Sequence, residues 1–200
     1  MDPLGEAPCL AYTTLMMESA ANLLPLEVLA VESPIGLWSV STQNGQVVSV
    51  DYVGPDSDTS LRMTPETKLE QQLACMLSRY FKGDKVDFER LPIALPMEGR
   101  FLNDVLTALQ RVPYGETRDY GWLAREIGKP KAARAVGGAL GRNPIPILVP
   151  CHRIITRDGL LGGFMRDHPA GGRIKEFLLA LEGLRFNKGR LVVSGSQLLN

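Results

Sequence analysis

A chain of 200 residues with 44% hydrophobic and 22% charged side chains suffices for one medium domain or two small ones, and it can bury a core, which excludes a disordered or fibrous protein. No run approaches the roughly 18 consecutive apolar residues of a membrane span, and residues 1–6 lack the basic and apolar stretches of a secretory signal. The 22 Lys and Arg cancel the 22 Asp and Glu, yet residues 1–99 hold 6 basic against 14 acidic side chains and residues 100–200 hold 16 against 8, so the second half is the one suited to a polyanion.

In the first half, Leu26 to Val31, Leu37 to Thr42 and Gln46 to Val53 read as strands, and Asn44-Gly45 between the last two is a tight-hairpin signal. Thr64-Pro65-Glu66 offers a capping hydroxyl, a proline for the first helical position and a first-turn acid. Leu69, Leu73, Met76, Leu77, Tyr80 and Phe81 follow at helical spacing, and Gly83 ends the helix. Cys75 within it is expected to be a buried core thiol, and Cys9 carries no information. Leu91-Pro92-Ile93-Ala94-Leu95-Pro96, uncharged with two prolines, is the expected connector between domains at 1–95 and 96–185.

The second half opens with an amphipathic helix over Phe101 to Leu109 and a turn at Pro113-Tyr114-Gly115. Thr117 is the expected cap of a helix over Tyr120, Trp122, Leu123 and Ile127, stopped by Gly128, and Pro130 starts the next, Lys131 to Leu140. Two short helices around a glycine turn match a helix-turn-helix in outline. Gly137 and Gly138 each cost about 1 kcal/mol in a helix interior, which close approach either to a neighbouring helix or to a DNA backbone would offset. Arg134, a long cation among alanines, points to DNA.

Ile145 to Ile155, apolar and punctuated by prolines, reads as buried extended chain that carries Cys151-His152-Arg153 into the interior. An adjacent imidazole and guanidinium would depress the thiol pKa and make Cys151 a nucleophile. Neighbours on an extended chain face opposite ways, so His152 would need a bend or a bridging water to reach the sulfur; a buried structural cysteine is the other reading. Three cysteines with no CxxC pair predict neither a disulfide framework nor a zinc site, and suit a reducing compartment.

Pro150-Cys151-His152-Arg153-Ile154, preceded by Arg142-Asn143-Pro144-Ile145-Pro146, resembles the active-site signature of the O6-alkylguanine-DNA alkyltransferases. The likeness extends back through Pro113 to Thr117, Tyr120 and Lys131 to Ala139, and forward to Lys175 to Leu179 and Leu181-Glu182-Gly183, so it spans roughly residues 68–185. It implies a mixed α/β fold, with a small ribonuclease-H-like first domain lacking catalytic acids, then a winged-helix or helix-turn-helix catalytic domain and a loosely ordered tail over 186–200. It implies repair of O6-alkylguanine and O4-alkylthymine by irreversible, single-turnover transfer to Cys151, with His152 as base through a water and Glu182 holding its tautomer. Asn143 would brace the turn and Tyr120 would donate a proton to the departing base. Arg134 would fill the stack where that base is flipped out, which is required because a thiol cannot reach into a duplex. Ala133 and Gly137 would lie on DNA, and Leu140, Ile154 and Phe164 would line the substrate pocket. The implied partner is double-stranded DNA held through its minor groove with weak sequence dependence; the protein would be a monomer without cofactor or metal, cytoplasmic in a prokaryote or nuclear in a eukaryote. The chain departs from the family in the loop from Gly163 to Gly172, several residues longer than the family pattern, where His168 is expected to be solvated; Gly141-Arg142 stands in reversed order. Two other classes share some of these features: a non-catalytic lesion binder, which would lack the acceptor Cys151, and a cysteine hydrolase, which would need an oxyanion hole that nothing in the sequence supplies.

Overall fold

The computed structural model describes residues 26–55, 61–96, 99–166 and 168–192, so Cys9 and the last eight residues lie outside it. Strands β1 (Glu27–Ser33), β2 (Gly36–Gln43) and β3 (Gln46–Gly54) form an antiparallel sheet in that order. Asn44 and Gly45 both take positive φ, 52° and 71°, as a two-residue hairpin turn demands. Helix α1 (Lys68–Phe81) lays Leu73, Leu77, Tyr80 and Phe81 against Leu29, Trp38, Val40 and Val50 of the sheet.

Its cap corrects the expectation. Thr67, not Thr64, accepts from the Glu70 N–H at 3.2 Å, and the Glu70 carboxylate reaches back to the backbone of Glu66 and Thr67. The T-x-x-E pattern of a capping box was there in the sequence at 67–70. Cys75 is exposed, not buried: it stands about 200° around the helix from Leu73, away from the sheet.

Residues 92–94, in the expected connector, run beside β3. Val47 donates to Pro92 O, and Ala94 donates to Val47 O, both at 2.8 Å. Further along the same edge Val50 N–H donates to Pro144 O at 2.8 Å. One buried apolar cluster runs from Leu29 and Trp38 through Leu77 and Leu106 to Val136, Cys151 and Phe164.

The second half holds α2 (Arg100–Leu109), the two-residue strand β4 (Arg118–Asp119), α3 (Tyr120–Glu126) and α4 (Ala133–Leu140). Asp119, rather than Thr117, caps α3 through Trp122 N–H at 2.6 Å, because residues 118–119 are drawn out to pair in parallel with β5 (Ile154–Ile155). Helix α4 starts two residues later than Lys131. After it the chain from 145 to 155 is buried as expected but not extended. It turns, with Ile147 at φ 75° and Val149 N–H bonded to Ile145 O, then forms one 3-10 turn over Cys151–Arg153. Helix α5 (Gly171–Leu181) follows, then the hairpin β6 (Arg185–Asn187) and β7 (Arg190–Val192), which occupies the first part of the expected tail and buries Leu191.

Candidate active site

The end of α4 and the 3-10 turn are held together by one amide. Asn143 accepts from Ile145 N–H with Oδ1 and donates with Nδ2 to Val149 O at 2.8 Å and to the Cys151 sulfur at 3.1 Å. Cys151 is nearly buried and opens onto a cavity of about 150 Å³ between Tyr120, Gly137, Leu140, Phe164 and Arg166. Larger clefts occur, one of about 440 Å³ behind Arg153 and one of about 630 Å³ beside His168, but neither is lined by a cysteine, serine or threonine.

Behind the sulfur lies a fully buried pair: His152 Nε2 stands 2.7 Å from Glu182 Oε1. Glu182, at the C-cap of α5, is saturated with donors. Arg153 reaches it with Nε at 2.9 Å and with Nη2 at 3.0 Å, Gly115 N–H at 3.0 Å and the Tyr80 hydroxyl at 2.9 Å. Burial would raise the Glu182 carboxyl, but His152 and Arg153 outweigh it and bring it down to about 2. An ionised carboxylate accepts only, so Nε2 carries the His152 proton and Nδ1 is left bare. Nδ1 is buried and has no hydrogen-bond partner among the described residues. Burial also lowers the His152 pKa, which keeps the imidazole neutral at pH 7.

The expected depression of the Cys151 thiol by its two neighbours does not occur. Arg153 is spent on Glu182 and on Val112 O, and burial pushes the thiol up, with the Asn143 bond and the Lys175 charge pulling the other way. The thiol rests protonated and needs a base.

Tyr120 opens α3 half-buried, its hydroxyl so close over Gly162 that an added Cβ there would lie 2.8 Å from it. Burial, and then the Cys151 charge, raises its pKa. Leu140 and Phe164 line the cavity; Ile154 does not, being fully buried in β5 with its carbonyl accepting from Lys175 Nζ at 2.6 Å. Arg134 is exposed on α4, with Ala133 and Gly137 half-buried beside it. His168 is half-buried rather than solvated, its ring edge-on to Tyr52 at 5.6 Å and its Nδ1 accepting from Ala170 N–H. Among the described residues no three His, Cys, Asp or Glu side chains gather in a metal-binding group.

Sequence reasoning missed Tyr80, Lys175 and Arg166. Lys175 carried a signal, since it interrupts the apolar stripe of Ile174, Leu178 and Leu179; it is fully buried, tied to Ile154 O and Gly163 O, and desolvation lowers it to about 8. Tyr80 carried none, because a phenol on a core stripe reads as one more apolar ring.

Comparison with known proteins gives one consistent result. The family described as 6-O-methylguanine DNA methyltransferase, DNA binding domain, matches residues 100–184. The methylated-DNA–protein-cysteine methyltransferase of Methanosarcina acetivorans is 51% identical over 158 residues, covering 76% of this chain and 95% of that protein. Its counterpart in Mycolicibacterium paratuberculosis is 41% identical over 166 residues, covering 78% and 92%. Among solved structures, the O6-methylguanine methyltransferase of Mycobacterium tuberculosis superposes with a TM-score of 0.67 at 34% identity, covering 79% of this chain and 93% of that one. The same organism's protein in complex with DNA gives a TM-score of 0.66 at 36% identity, covering 78% and 92%.

Proposed function

From the premise that this chain belongs to the methylated-DNA–protein-cysteine methyltransferase family, we infer that Cys151 is the acceptor and that the residues around it divide the work of one alkyl transfer. The protein repairs DNA by moving an alkyl group from the O6 of guanine onto its own cysteine. The observation that carries the assignment is a single sulfur, held by Asn143, at the floor of a cavity with a buried His152–Glu182 pair behind it.

The sequence of events follows from the protonation states. His152 Nδ1 takes the thiol proton through a water, and Glu182 steadies the imidazolium through Nε2. The thiolate attacks the alkyl carbon, the carbon–O6 bond breaks and its electron pair leaves with the guanine. Tyr120, kept protonated by its raised pKa, supplies the proton that the departing base needs. The product is a thioether, a bond stable to water and to ordinary acid–base catalysis, so each molecule acts once. Because the sulfur is buried, the damaged base must leave the duplex to reach it. Helix α4 is the surface we assign to the minor groove, with Ala133 and Gly137 against the backbone and Arg134 filling the gap in the stack; the working unit is a monomer.

The test is stoichiometric. Incubation with a duplex holding one O6-methylguanine is expected to add one methyl mass to the peptide containing Cys151 and then stop at one equivalent. Methyl transfer by a Cys151→Ser variant at the wild-type rate, or repeated turnover, would overturn the assignment.

A further inference from the structure

We propose that Tyr80, on the helix of the first half, is a positioning residue of the reaction centre that fixes the His152–Glu182 pair in its base-competent form. The proposal rests on the reading of Cys151 as acceptor and His152 as its base.

Tyr80 lies outside the matched stretch 100–184, yet its side chain is fully buried and its hydroxyl ends between the two functional groups, 2.9 Å from Glu182 Oε1 and 3.3 Å from His152 Nε2. The ring is fixed by edge contacts with Phe81, Phe88 and Tyr114, at 5.8, 5.7 and 6.3 Å between centroids. The groups facing this point from every side are Glu182 and Lys175 from α5 and its cap, Cys151, His152 and Arg153 from the 3-10 turn, and Tyr114 from the turn before β4.

Tyr80 and His152 converge on one oxygen, Glu182 Oε1, which Arg153 Nη2 also reaches at 3.0 Å. With Glu182 ionised, both the Tyr80 O–H and the His152 Nε2–H point to Oε1, and the 3.3 Å between them is the side-by-side spacing of donors that share an acceptor. Were the phenol to donate to Nε2 instead, the imidazole proton would move to Nδ1, which then could not accept from the thiol. By occupying Oε1 the hydroxyl also takes up part of the carboxylate charge. The attraction of Glu182 for an imidazolium is thereby moderated, and His152 remains a neutral base to lower pH. Arg153 acts in the same sense, with Nη2 on Oε1 and Nε on Oε2 of the carboxylate.

The test is Tyr80→Phe in the full chain, which keeps the ring and its packing. Transfer rates are measured against pH with free O6-benzylguanine and with methylated duplex. The acid limb is expected to move up by roughly half to one pH unit, equally for both substrates, because the change acts on His152 rather than on DNA. A profile that superimposes on the wild type would overturn the proposal and leave Tyr80 as packing alone. Nitrogen-15 spectra of His152 in the unaltered protein give an independent reading should the variant fold poorly: they are expected to show Nε2–H and a bare Nδ1 at neutral pH, and an Nδ1–H tautomer would refute it. Absence of alkyl mass on Cys151 in the wild type would instead bring down the acceptor reading, so the two failures are distinguishable.

Discussion

At the scale of single residues, the site rests on which partner each ion takes, and that is where sequence reasoning reached its limit. Cys151-His152-Arg153 announced a reactive thiol, but adjacency suggested that the cations act on the sulfur. Burial has the opposite effect on the thiol, and the 3-10 turn sends both His152 and Arg153 to Glu182, 30 and 29 residues away. Long-range pairing of this kind leaves no periodic trace. Lys175 is the more testable case. Its folded pKa, about 8, lies below the ordinary 10.5, so the unfolded chain binds more protons between these values and stability rises with pH across that window. Replacing it with methionine removes this slope. The difference in unfolding free energy between wild type and Lys175→Met should therefore change by about 3 kcal/mol between pH 7.5 and 10.5, read from urea midpoints at each pH. The same variant should transfer alkyl groups more slowly at pH 7, since the thiolate loses a nearby cation.

At the scale of elements, most of the architecture was legible because it follows local rules. The Asn44-Gly45 hairpin, the stripe of α1 and the two short helices around Gly128 are all written in spacing and turn chemistry. One cap was displaced where tertiary pairing competed: the two residues after Thr117 are drawn out to pair with β5. The paired glycines of α4 turn out to serve different neighbours. A Cβ on Gly137 would touch the Tyr120 ring at 3.6 Å, whereas one on Gly138 would meet nothing within 4 Å and would project from the exposed face. Gly138→Ala is thus expected to stabilise the protein by about 0.5–1 kcal/mol while slowing repair of duplex DNA more than reaction with free O6-benzylguanine. Equal slowing on the two substrates would remove this face of α4 from the DNA contact.

At the scale of the whole molecule, the acidic and basic halves share one core, and Tyr80 carries the first half into the reaction centre. The two tryptophans fall one to each half, Trp38 buried in β2 and Trp122 half-buried in α3. Single-tryptophan variants, Trp38→Phe and Trp122→Phe, should report thermal transitions that coincide with that of the whole chain followed by circular dichroism; separated midpoints would mean that the halves melt independently. The hydrogen bond from Val50 to Pro144 has a consequence of its own. It makes the turn that carries Asn143 a rung of the sheet, although nearly a hundred residues separate the two along the chain. The Val50 amide is then a built-in gauge: its exchange with deuterated solvent counts the openings of the acceptor turn from a position no substrate touches, before the sulfur is spent and after.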